Sequence, residues 1–128
     1  MGRIVAQVKI TNAIDPTKGM SFHGLVDTGA AQMVLPSAWK EHFGAMDTIR
    51  VVDCELGNQS IVRAEVCGPV KIKIEGFEPI YSEVMFIEMN PSEGEYEPLI
   101  GYTVLEIGGI AVDMLGHRLL NAKRIDLK

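Results

Sequence analysis

Asp27-Thr28-Gly29 stands between two apolar runs, in the stretch GLVDTGAAQMVLP that spans residues 24–36. An ionised carboxylate held away from water without partners is strongly disfavoured. Asp27 is therefore either satisfied by its own backbone or kept for acid–base chemistry. The first case is an Asx turn, in which the Asp side chain bonds the main chain and Gly supplies a left-handed φ. Asp47-Thr48, in AMDTIRV (45–51), shows how cheaply Asp-Thr arises; it lacks both the Gly and the preceding apolar run.

The other chemistry-bearing residues form no constellation. His23, His42 and His117 are far apart with no partner at helical spacing, and Cys54 and Cys67 make neither a Cys-x-x-Cys nor a Cys/His zinc pattern. A nucleophilic Cys needs a base or a helix N-terminus beside it, whereas both cysteines fall in expected strands. They read as free, partly buried thiols, and pairing about Gly57-Asn58 sets Cys54 opposite roughly Arg63. Trp39 and Phe43, four residues apart, read as core packing. No metal or cofactor is expected.

The elements that must position Asp27 are mostly strands. Ile4, Ala6, Val8 and Ile10 alternate with polar positions. DPTKG (15–19) carries a turn signature, and MSFHGLV (20–26) resumes extended structure, so residues 3–26 read as a hairpin ending at Asp27. MVLP (33–36) is a short strand, and SAWKEHFG (37–44) a short helix with Ser37 as its N-cap. TIRVVDCEL (48–56) and SIVRAEVCGPVKIKIEG (60–76) flank a tight tip at Gly57-Asn58-Gln59. PIYSEVMFIEM (79–89) is another strand, NPSEGEYEP (90–98) a surface loop and LIG (99–101) a buried strand end. YTVLEIG (102–108) is a helix, and IAVDMLGHRLLN (110–121) a last hairpin turning at Gly116. An echo links the halves: LVDTGA (25–30) and LIGYTV (99–104) each carry two apolar residues into a Gly-containing turn.

Length and charge narrow the function classes. The chain has 128 residues, a net charge of −5 and a pI near 5.1. That length suits one domain burying roughly two-thirds of its unfolded surface. A nucleic-acid partner calls for a Lys/Arg stripe, and the longest basic cluster, AKRIDLK (122–128), reads as a solvated tail. No apolar run approaches the ~20 residues that cross a bilayer, and the N-terminus lacks a secretory pattern. A cytoplasmic protein without membrane or nucleic-acid partners is expected.

In these residues the sequence resembles the retropepsin-like (retroviral-type) aspartic proteases. The likeness rests on LVDTGA (25–30), MVLP (33–36), the hairpin about Gly57-Asn58, VRAEVCGPVKIKIEG (62–76) and PLIG (98–101) followed by a helix, in that order over residues 3 to about 115. The resemblance implies an all-β, closed acid-protease barrel with one or two short helices. In it, the Asp-Thr-Gly turn crosses under the strand carrying the apolar-apolar-Gly motif. It also implies an aspartic endopeptidase. Two such carboxylates in contact share one proton, one acting as base towards a trapped water and the other donating to the peptide carbonyl. One Asp-Thr-Gly per chain implies a homodimer with Asp27 from each copy on the two-fold axis. By the same resemblance Thr28 ties the two turns together, and Gly29 lets the backbone approach water and substrate. Ala30, Ala31 and Ile100 line the cleft, and Leu56, Gly57, Asn58 and Gln59 form a flap over a polypeptide substrate.

The sequence departs from that family in places. Retroviral members carry an Asp and an Arg, paired with each other, where this chain has Ala31 and Tyr102. Losing both avoids stranding one charge, yet it removes a substrate contact. Ala30 lacks the hydroxyl that pepsin-like members hold towards their carboxylates, which predicts a pH optimum above that of gastric enzymes. The segment after Gly101 is longer than in compact retroviral members, so their dimer contact does not transfer. A catalytically inactive dimeric peptide-binding module of the same fold is the alternative. A glycosidase is disfavoured because nothing fixes a second carboxylate at the required ~5 to 9.5 Å.

Overall fold

The computed structural model describes residues 3–55 and 57–122. Strand β1 (Val5–Asn12) pairs antiparallel with β2 (Gly19–Val26), from Val5 opposite Leu25 to Thr11 opposite Gly19. Alternation puts Val8 and Ile10 in the core, continues the row begun by Ile4, and leaves Lys9 exposed. Asp15 closes the turn by accepting from the Thr17 hydroxyl at 2.6 Å. Asn12 is buried and fully occupied. Its amide donates to the Phe43 carbonyl at 2.8 Å, and its oxygen accepts from the amides of Ile14 and Asp15. Those bonds satisfy a polar group that would otherwise be costly to bury and fix the turn to the segment after β3.

Strand β3 (Met33–Pro36) is wholly buried and leads directly into a 3₁₀ helix, Ser37–Phe43. Ser37 is not its cap, contrary to the sequence reading. Pro36 holds that position and there is no side-chain cap bond, because the chain enters the helix straight from the last residue of a strand. Strands β4 (Thr48–Glu55) and β5 (Ile61–Ile74) form the central hairpin. Its last pair is Glu55 opposite Ile61, so the connection has five residues rather than the three of Gly57-Asn58-Gln59, and Gln59 takes the positive φ, 67°. That register puts Cys54 opposite Val62 and gives Arg63 to Asp53. β5 runs past Gly68 with a register shift between Cys67 and Val70, and its second half pairs with β1.

β6 (Ile80–Ile87), β7 (Leu99–Ile100) and helix α1 (Tyr102–Gly108) complete the barrel, and a separate hairpin, β8 (Ile110–Asp113) with β9 (Arg118–Asn121), follows. The strand order β1-β2-β7-β3-β6-β5 closes through the β1–β5 pairing, a six-stranded barrel with β4 attached outside β5. The all-β expectation with two short helices holds. Val8, Ile10, Met33, Leu35, Val70, Ile72, Val84, Phe86, Ile100 and Val104 fill the core. Trp39 packs against it, its ring 5.3 Å from Phe22 and 6.0 Å from Tyr96 in the loop after β6. Among the described residues no helix is long and apolar enough to cross a membrane. The tail residues 123–128 lie outside the described part.

Candidate functional site

β7 lies between β2 and β3, parallel to the first and antiparallel to the second. The two echoing runs found in the sequence therefore lie side by side, Leu25 opposite Leu99 and Val26 opposite Ile100. The chain leaves β2 at Val26, makes the loop 27–32, and returns as β3 on the far side of β7. In doing so the loop passes across the strand that carries Leu99-Ile100-Gly101. Main-chain bonds hold the crossing: the Asp27 amide donates to the Ile100 carbonyl (3.0 Å), Tyr102 to Ala30 (2.9 Å) and Thr103 to Ala31 (3.0 Å). Gly101 is buried at the contact, where a β carbon would stand 2.2 Å from the Gln32 carbonyl oxygen. No ordinary side chain fits there.

Asp27 is half-buried, with Thr28 and Gly29 exposed beside it. Its Oδ1 accepts from the Gly29 amide at 2.9 Å, and its carbonyl accepts from Ala30 at 3.1 Å. That is the Asx turn, but not with a left-handed glycine, because Gly29 does not take a positive φ. Its role is closeness: a β carbon at Gly29 would stand 3.1 Å from the Asp27 oxygen that its amide bonds. Among the described residues the Thr28 hydroxyl makes no hydrogen bond within the chain, and Thr28 is exposed; the Asp27 carboxylate has the Gly29 amide as its one partner.

The structure brings Asp27, Thr28, Gly29, Ala30, Ala31 and Ile100 together at this crossing. Gly57, Asn58 and Gln59 are at the exposed tip of the β4–β5 hairpin, where Asn58 Oδ1 accepts from the Ser60 amide at 3.0 Å and its hydroxyl at 2.5 Å. Leu56 lies outside the described residues. His23, His42 and His117 are exposed, the last in the β8–β9 turn, and Cys54 and Cys67 are both free, Cys67 being fully buried. Among the described residues no group of three or more His, Cys, Asp or Glu is placed to hold a metal ion.

Sequence reasoning missed one network. Gln32, the last residue of the loop, donates to Glu83 on β6 at 2.6 Å, and Arg50 on β4 grips the same carboxylate at 2.5 and 3.2 Å. Glu83 in turn holds Arg50 further towards its charged form. The network fastens the site loop to β6 and to the base of the β4–β5 hairpin. Gln32's place directly after the Asp27 turn was a signal; its partners, far away in sequence, were not.

Compared with what is known, the chain matches no protein-family model and no curated protein, so the crossing of the Asp27 loop over β7 is what bears on its identity.

Proposed function

We propose that this protein is an aspartic endopeptidase of the retropepsin type, active as a homodimer that pairs the Asp27 carboxylates of two copies. The observation that carries the reading is the Asp27-Thr28-Gly29 turn, anchored across Gly101 with a half-buried carboxylate and an exposed threonine. A half-buried carboxylate with one backbone partner is poorly employed in a lone chain, and an Asn would close the same Asx turn without the charge. Facing a second Asp27, the carboxylate would share a proton. One member could then take a proton from water while the other donates to the substrate carbonyl, and the water attacks without an acyl-enzyme. Thr28, unpartnered among the described residues, is available to bond the facing turn, and Ala30 and Ala31 are open to a substrate, whereas Ile100, expected in the cleft, is fully buried and supports the loop from the core. The β4–β5 tip is the flap of this reading. Where the family uses a paired Asp and Arg, Ala31 and Tyr102 have only main-chain bonds to the crossing, and Gln32, Glu83 and Arg50 brace the loop instead.

The second reading, a dimeric peptide-binding module without catalysis, draws on those same two positions. One experiment separates them. Wild type and Asp27→Asn are incubated with a mixed library of unfolded peptides from about pH 3 to about pH 8 at several protein concentrations. Cleavage is expected to fall by about a thousandfold in the variant, to rise with dimer concentration, and to peak above the pH of gastric enzymes. Peptide capture without cleavage, equal in both proteins, would leave the binding module.

A further inference from the structure

The outer face of the barrel carries a cationic cleft that the Asp27 site does not use. Lys9 on β1 stands directly opposite Lys73 on β5, Thr11 opposite Lys71, and Lys71 opposite Tyr81 on β6. The alternation that buries Val8, Ile10, Val70, Ile72 and Ile74 sends all three lysines outward. With Thr11, Pro79 and Tyr81 they line an open cleft of about 450 Å³.

Like charges directly opposite one another weaken a sheet, and a neighbouring carboxylate is the usual relief. Among the described residues none of these lysines is in an ion pair, and no carboxylate lines the cleft, the nearest in line with β5 being Glu75, the next outward residue after Lys73. The ion pairs of the structure use Arg3, Lys40, Arg50 and Arg118, and Lys73 donates to the Phe77 carbonyl instead. In a chain of net charge −5, this cleft gathers three ammonium groups and no carboxylate in its lining.

We propose that the cleft docks an extended peptide segment bearing acidic side chains at alternate positions. Lys71 and Lys73 are two residues apart on one face of a strand, about 7 Å along it. Carboxylates at alternate positions of an extended peptide repeat at the same spacing, and Lys9 adds a second ammonium at the Lys73 end. Tyr81, 64% exposed beside Lys71, offers a flat apolar surface with a polar tip. A single phosphate calls for donors converging on one point, and a nucleic acid for a longer basic stripe. The peptide matches the spread of the three lysines better than either. This docking does not depend on catalysis by Asp27.

The test is fluorescence anisotropy with a synthetic peptide carrying glutamate at alternate positions, on the Asp27→Asn protein so that no cleavage intervenes. Binding is expected to weaken about tenfold or more when Lys9, Lys71 and Lys73 are all changed to Gln. It is expected to weaken as salt rises from about 0.1 M to about 1 M, which shortens the screening length from about 10 Å to about 3 Å. Lys18→Gln should change nothing, and the triple variant should keep its Tm or raise it slightly, since the side chains removed are exposed and two of them repel across the sheet. The same peptide with glutamine for glutamate should not bind, which tests the idea without altering the protein. Equal affinity for the triple variant, equal affinity for a peptide whose glutamates are clustered, or a dissociation constant weaker than about 1 mM would overturn the proposal. So would preferential binding of inorganic phosphate, a single-stranded oligonucleotide or anionic vesicles.

Discussion

Gly101 and Gln32 meet backbone to backbone, and at that contact one added carbon has no room. Gly101→Ala is expected to cost about 3 kcal/mol or more in stability by urea unfolding, because relief requires moving either β7 or the site loop. Asp27→Asn should behave differently and keep its Tm nearly unchanged, since Asn accepts the same Gly29 amide bond. Loss of activity in one and of stability in the other would separate chemistry from scaffold. Asp27, Thr28 and Gly29 were legible in the sequence because they are contiguous and flanked by apolar runs. Gln32, Glu83 and Arg50 were not, because their meeting depends on β3, β6 and the β4–β5 register together.

At the scale of elements, alternation exposed β1, β2, β5 and β6, since one face of each lines the barrel interior, whereas β3 is buried on both faces and β4 lies outside the barrel. The errors fell where local geometry outweighs pattern. The β4–β5 connection took five residues with Gln59 left-handed, and Pro36 displaced Ser37 as the N-cap of the 3₁₀ helix. The β8–β9 turn shows how a local bond sets a pH response. Asp113 accepts from the Gly116 amide at 2.9 Å and from Arg118 at 3.0 Å, and these hold its carboxyl below its ordinary value of 3.8. A carboxylate depressed in the folded state adds stability above its unfolded value and loses it as pH falls through the folded one. The turn should therefore stay closed through mildly acidic conditions and loosen only below about pH 3.8. The Gly116 amide shift followed by NMR is expected to titrate below that value in wild type and to stay flat in Asp113→Asn.

For the whole molecule, the dimer reading predicts that stability is linked to concentration. Association that favours the folded state raises Tm as protein is added. A scan over about a hundredfold range of concentration should show that rise, and a constant Tm with a monomeric sedimentation profile would count against pairing of the Asp27 turns. Closure of the barrel depends on contacts between distant parts of the chain: β1 with β5, β2 with β7 and β3 with β6. Such pairings form slowly because long loops must close first. The crossing has a consequence for synthesis. While the chain is still emerging from the ribosome, Asp27 and Gly29 are made about seventy residues before the strand that anchors their loop. Until Ile100, Tyr102 and Thr103 have been added, the bonds to Asp27, Ala30 and Ala31 have no partners. A chain that stops short of Ile100 thus has no anchor for the Asp27 loop, and the loop can be fixed only after β7 and the first turn of α1 have been made.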